Sequence, residues 1–407
     1  MTSIAVDQRP VYELETRPAV LTSYDEAIER ARALKQILRE RVAETEQLRR
    51  LPAANVADLL ESGMYGLMTP KRFGGSELGP EAMIDVTIEL ASACPSTGWV
   101  HMLWTAHMWM LALFPPETQE ELWSNPNTLA SSVVNTTGHF VPVDGGYRWT
   151  GRGFFSSGVD HCNWLTALAP IRREGVDGPP ELRWLLLPRE DIEIVDDWFT
   201  IGLKGTGSKT IVVNDAFIPE RRTMTFADAD GGRAPGSQLH AHPMYCGISS
   251  ANFTAAMAAP ALGVARGFLE AFQERLQSKS NNIDDGLTVN LARYAEASAL
   301  VDAVHALTLQ DAQRWARVPA WEVAQEVGVK CRLDQAFTAQ TARKAINKLY
   351  EECGGSALFE TSDFQRLWRD VNAAAAHRGL AWDWNAVGWT KTRLNIPTVP
   401  GFTFSRT

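Results

Sequence analysis

Chemistry in this chain is concentrated in a few polar groups set among apolar or small residues. Near the C-terminus, Cys353-Gly354-Gly355-Ser356-Ala357-Leu358 offers two glycines where a backbone could approach a ligand closely. Beyond it, Arg366-Leu-Trp-Arg369-Asp370-Val-Asn-Ala-Ala-Ala-Ala-His377 sets small side chains beside one imidazole, the layout of a cofactor pocket. His107, in Trp104-Thr-Ala-His107-Met-Trp109, is an imidazole on an otherwise apolar helix and could work as a general base. His101, earlier on the same helix, competes with it. Paired serines stand at the ends of β-like runs in Ala130-Ser131-Ser132 and Phe154-Phe155-Ser156-Ser157-Gly158-Val-Asp160-His161, where a hydroxyl can orient a ligand or form a turn.

Other patterns exclude chemistry. Gly202-Leu-Lys-Gly205-Thr206-Gly207-Ser208-Lys209 approaches a phosphate-binding loop, but Ser-Lys replaces Lys-Ser/Thr and a strand, Thr210 to Val213, follows where a helix N-terminus is needed. With no GxGxxG opening a helix, a nicotinamide-binding half is absent. His161 with Cys162, and His240 with His242, lack further ligands at a metal-site spacing. The five cysteines are scattered singly, which fits reduced thiols in a cytosol. A net charge of −9 without a basic block argues against nucleic acid and anionic membranes. No signal pattern opens the chain and no run reaches the roughly 18 apolar residues of a membrane span, so the expected location is cytoplasmic.

The elements that must position these groups follow from periodicity. A long amphipathic helix is expected from Tyr24 to Met64, capped by Thr22 and Ser23, then helices over Pro80 to Ala93 and Thr97 to Phe114, the last ended by Pro115-Pro116. Between about Leu129 and Arg222 the pattern changes to short Val-, Ile-, Trp- and Thr-rich runs, with strands at Gly146–Gly151, Trp184–Leu187 and Thr210–Val213. Long helices resume over roughly Phe253–Gln277, Gly286–Trp315, Trp321–Glu352 and Phe364–Thr392, which suggests an antiparallel bundle. The fold class is α+β, mostly α. The expected units are 1–125 helical, 126–237 β and 238–407 bundle.

Helical domain, barrel-like β domain and four-helix bundle in that order resemble the acyl-CoA dehydrogenase fold. Gly66-Leu-Met-Thr-Pro70-Lys-Arg-Phe73-Gly74-Gly75, Cys94-Pro-Ser-Thr97-Gly-Trp99, the 202–208 string and the segment ending at His377 carry the resemblance across nearly the whole chain. Straight-chain dehydrogenases carry a carboxylate base about two helical turns past the Arg-Asp pair. Here that place falls near His377, as in the branch that serves as oxygenase components of two-component flavin monooxygenases.

That resemblance implies reduced FMN or FAD and dioxygen as cofactors, a C4a-hydroperoxyflavin, and hydroxylation of an aromatic, phenolic small molecule. It implies that His377 steadies the hydroperoxide, His107 takes the phenol proton, Ser157 (or Ser156) reaches flavin N5, and Ser132 bonds the substrate oxygen. Trp104, with His107, Ser132 and His377, would line the substrate site. Ser156, Ser157, Gly158, Thr206, Gly207, Ser208, Gly354 and Gly355 would contact flavin, and Arg369 with Asp370 would form a structural ion pair. With no nicotinamide site of its own, the chain would take reduced flavin by diffusion from a separate NAD(P)H-dependent reductase. The family's habit is a homotetramer joined through the bundles. N- or S-oxygenation by the same fold, an acyl-CoA dehydrogenase with a relocated base, and a catalytically inactive helical scaffold are the alternatives.

Overall fold

Ser23 opens the first helix by accepting the amide of Glu26 on its hydroxyl. The computed structural model describes residues 18–172, 175, 177–247, 256–279, 285–315, 317–322 and 325–396, and these hold twelve α-helices and eight strands. The single helix expected from Tyr24 to Met64 is instead α1 (Tyr24–Glu40), α2 (Val42–Leu48) and α3 (Ala53–Glu61). Arg49 takes the left-handed backbone at φ 53°, and Pro52 keeps Leu51 out of the helical region, so the chain turns there.

Helices α4 (Pro80–Ala93) and α5 (Pro95–Leu111) each start on a proline, which suits a first turn whose amides have no helical partner. Thirteen residues of α4 and all of α5 except Leu103 are buried, so both are core helices packed on every side. The Pro115-Pro116 pair ends the preceding segment and also begins a short helix, α6 (Pro116–Trp123), that the sequence pattern did not suggest.

Two four-stranded sheets follow. One has the order β1-β4-β5-β8, from β1 (Ala130–Val133), β4 (Trp164–Ile171), β5 (Glu181–Pro188) and β8 (Thr223–Thr225), with β1 parallel to β4 at its edge. The other, β2-β3-β7-β6, is antiparallel and comprises β2 (Asn135–Val143), β3 (Gly146–Ser156), β7 (Lys209–Pro219) and β6 (Glu193–Val195). Val133, Trp149, Leu165, Leu185, Ile211 and Val213 fill the space between the sheets. The three strands read from the sequence lie within β3, β5 and β7.

After α7 (Phe226–Asp230) come α8 (Ala259–Lys279), α9 (Asp285–Trp315), α10 (Gln325–Glu351), α11 (Asp363–Ala375) and α12 (Trp382–Arg393). The expected start at Phe253 lies outside the described residues. The helix expected over Phe364–Thr392 is broken after Ala375, because His377 turns extended and its side chain caps the Gly379 amide instead of continuing the helix. The mostly-α α+β class expected from the sequence is the one observed.

Ala91 of α4 is a tight point between the helical layers. A Cβ on Gly98 of α5 would stand 2.4 Å from the Ala91 Cβ, and one on Gly263 of α8 would stand 2.5 Å from it. Both glycines are required by close helix approach. We expect Gly98→Ala to force α4 and α5 apart at a cost of about 1–3 kcal/mol, seen as a lower melting temperature; an unchanged melting temperature would contradict this packing.

Candidate active site

Trp99, Leu103 and His107 repeat at four-residue spacing and share one face of α5. Leu103 is the single partly open residue of that helix. His107 donates from Nδ1 to the Ala130 carbonyl, 2.9 Å away on the edge strand β1. A carbonyl can only accept, so the proton sits on Nδ1 and Nε2 is the basic nitrogen. Burial holds the His107 pKa down at about 4, partly offset by the bond to Ala130, which keeps the ring neutral at pH 7. His101 is different. Its Nε2 donates to the Met64 carbonyl and its Nδ1 accepts from Thr87, so both nitrogens are committed to the core.

A bulge aims the serines. The β3–β7 register slips between Gly153 and Ser156, and Phe155 takes φ 64° with its ring exposed, so Ser156 and Ser157 are both buried instead of alternating in and out. Trp99 Nε1 donates to Ser157 Oγ at 3.2 Å. Ser157 Oγ lies 2.7 Å from Ser208 Oγ, which lies 2.7 Å from Thr206 Oγ1, and Thr206 Oγ1 donates to the Leu203 carbonyl at 3.0 Å. On the other side, Ser131 Oγ donates to the Ser157 carbonyl and lies 2.8 Å from Ser156 Oγ.

The loop that carries Thr206 and Ser208 is held from several elements. The Leu203 amide donates to Asp370 Oδ1 at 2.7 Å, the Gly205 amide to Ser96 Oγ of α5, and the Gly158 amide to the Thr206 carbonyl. Arg369 and Asp370 do not pair with each other, contrary to expectation. Arg369 instead donates to the Ile201 carbonyl and to Glu46, so neighbouring residues of α11 grip the loop at Ile201 and Leu203. The Leu203 and Gly205 amides need these partners because both residues are buried. Burial raises the Asp370 pKa to about 6, against the lowering effects of the Leu203 amide and Arg366. Lys209 starts β7 and is buried in an ion pair with Asp160 at 2.8 Å, with Asp196 at 3.2 Å.

The remaining candidates divide. His377 brings its ring centroid to 5.7 Å from that of Trp99, so Trp99 links it to Ser157. Its Nδ1 accepts the Gly379 amide at 3.1 Å, which leaves the proton of the neutral ring on Nε2. Surrounding atoms lower its pKa, which favours the neutral imidazole at pH 7. Ser132 follows Ala130 by two residues on β1, about 7 Å along an extended strand, and its Oγ is buried without a hydrogen-bond partner among the described residues. Trp104 packs edge-on to Tyr65 and against Gly158, whose Cβ would meet the indole at 2.7 Å.

Gly207 takes φ 52° where a Cβ would meet Asp160. Gly354 and Gly355 stand apart on an exposed turn after α10, with open space where a Cβ would be. Sequence reasoning did not single out Trp99 or Ser131 as site residues. The four-residue spacing of Trp99, Leu103 and His107 was the available signal. A hollow of about 500 Å³ lined by Tyr24, Glu81, His242 and Arg317 among others contains none of these groups.

Residues 26–128 match the family model "Acyl-CoA dehydrogenase, N-terminal domain" and residues 255–382 match "Acyl-CoA dehydrogenase, C-terminal domain". The FADH(2)-dependent resorcinol hydroxylase, oxygenase component, of Rhizobium sp. (strain MTP-10005) is 33% identical over 397 residues, covering 91% of this chain and 94% of that protein. The crystal structure of 3-HSA hydroxylase from Rhodococcus sp. RHA1 superposes with a TM-score of 0.86 at 32% identity, over 93% of this chain and 99% of that one. XiaF from Streptomyces sp., solved in complex with FADH2 and glycerol, gives a TM-score of 0.83 at 25% identity, over 93% and 98%.

The grip on the loop is testable through Asp370. Because burial raises this carboxyl's pKa above its unfolded value, its contribution to stability is fully present below pH 4 and is lost as pH rises through about 6. Asp370→Asn keeps an acceptor for Leu203 without the charge and should melt at or above the wild type at pH 7, the gap closing toward pH 4. Asp370→Ala orphans the Leu203 amide and should cost about 1–3 kcal/mol; melting curves alike for Ala and Asn would disprove the anchor.

Proposed function

This chain belongs to the acyl-CoA dehydrogenase family, in the branch of flavin-dependent oxygenase components, and from that premise we propose that it hydroxylates a small phenolic substrate. The residues present suit a flat flavin beside a phenol. Ser132 offers a buried hydroxyl without a partner among the described residues, and the serine pair presents oxygen lone pairs next to the indole of Trp99. Reduced flavin supplies, when bound, the electrons that activate dioxygen, one oxygen atom entering the substrate and the other leaving as water.

The observation that carries the reading is the tautomer of His107. With Nδ1–H fixed on Ala130, Nε2 is a neutral, buried base on the helix face that also carries Trp99. Taking the phenol proton makes the ring more electron-rich at its ortho and para carbons. The imidazolium formed is costly in a buried place alone, but beside the phenolate it is half of an ion pair. Ser132 Oγ–H donates to the same substrate oxygen and fixes its position. His377, at the rim, donates from Nε2, while Ser157 accepts from the flavin. Packed tryptophans and apolar side chains keep bulk water from the reacting atoms.

Reduced FMN or FAD reaches the site from a separate reductase that spends NAD(P)H. Among the described residues, no helix is long and apolar enough to cross a membrane, and we place the reaction in the cytoplasm. The exposed Leu358, Phe359, Trp384, Val387 and Leu394 of the bundle side support assembly as a homotetramer.

Mixing the enzyme with reduced flavin, oxygen and a panel of phenols tests the reading by counting product against hydrogen peroxide. His107→Asn should lower product about 100-fold or more while peroxide release continues; His377→Ala should raise the peroxide share with wild-type flavin binding. The acid limb of kcat/KM should lie near pH 4, since the base is lost only as pH falls through its lowered pKa, and should vanish in His107→Asn. An acid limb near pH 6.5 that survives this substitution would rule His107 out as the base.

A further inference from the structure

We propose that two one-way hydroxyl chains make this site selective for the reduced form of its flavin, because they leave Ser156 and Ser157 able to accept a hydrogen bond but not to give one. The proposal rests on the reading above that Ser157 meets flavin N5. The first chain makes four bonds and has four hydrogens. Leu203 carbonyl, at one end, can only accept, and the indole N–H of Trp99, at the other, can only donate. Thr206 gives its hydrogen to Leu203, so Ser208 must donate to Thr206 and Ser157 to Ser208.

The second chain is fixed in the same way. Ser131 gives its one hydrogen to the Ser157 carbonyl, so the bond between Ser131 and Ser156 must use the hydrogen of Ser156. Every hydroxyl hydrogen of the serine pair is therefore turned away, in a place where exposure is 0% for Ser156 and 5% for Ser157. What remains outward is lone pairs.

Two-electron reduction places a hydrogen on flavin N5, which makes it a donor; oxidised N5 has a lone pair and no hydrogen. Facing Ser157, the reduced form completes a hydrogen bond and the oxidised form sets lone pair against lone pair, with no water to relieve the mismatch. Trp99, Ser208 and Thr206 are positioning residues here. They set which way Ser157 points.

The test is the ratio of dissociation constants for oxidised and reduced FMN, and likewise FAD, measured anaerobically by quenching of tryptophan fluorescence and by equilibrium dialysis. Wild type should hold the reduced form more tightly. Ser208→Ala releases the Ser157 hydrogen, and Thr206→Val does so indirectly by leaving Ser208 nothing but Ser157 to donate to. Each should shrink the ratio about tenfold, chiefly through tighter oxidised binding, and lower the midpoint potential of bound flavin by about 30 mV. Thr206→Ser keeps the chain and should keep the ratio. Circular dichroism identifies the folded variants, and Thr206→Val, close to isosteric, decides if Ser208→Ala fails to fold. A wild-type ratio in a folded chain-breaking variant overturns the proposal and leaves the flavin reading standing. Failure of wild type to bind either redox form overturns both.

Discussion

The bond from the Leu203 amide to the buried carboxylate of Asp370 is the contact on which the candidate site depends. It joins the last long helix before His377 to the loop that begins the hydroxyl chain, while Ser96 at the start of α5 holds the same loop two residues on. Helix α11, helix α5 and the antiparallel sheet thus meet at one short segment. Its peptide groups are buried, so their partners must come from the protein. Moving any one of the three elements would leave amides unsatisfied and disorder the serine pair that follows from them.

Burial sets the chemistry as firmly as geometry does. Burial lowers the pKa of both His101 and His107 and keeps both rings neutral, His101 held by Met64 and Thr87 and His107 by the Ala130 carbonyl. Lys209 with Asp160 and Asp196 shows the opposite solution, charge retained in the interior by pairing.

The order of helices, strands and helices was legible because it is written in local periodicity, and so were the strands within β3, β5 and β7. The breaks were harder to see. Arg49 and Leu51-Pro52 interrupt what reads as one amphipathic helix, and the capping of Gly379 by His377 ends what reads as another, since both depend on backbone angles that hydrophobic spacing does not report. In the site, the serines and His107 stood out by residue type against apolar neighbours. The role of Trp99 did not, because its partner Ser157 is 58 residues away. Arg369 and Asp370 are adjacent in sequence and suggested a mutual pair. Their real partners, Ile201 and Leu203, come from the β domain and are invisible to any local pattern.

The two serine chains both finish on peptide carbonyls, at Leu203 and at Ser157 itself. A carbonyl oxygen has no proton of its own to pass onward, so neither row of hydroxyls can conduct protons by successive hops. The inner wall is an insulator. Exchange of protons with solvent would then fall to groups outside these two rows, such as the exposed His377.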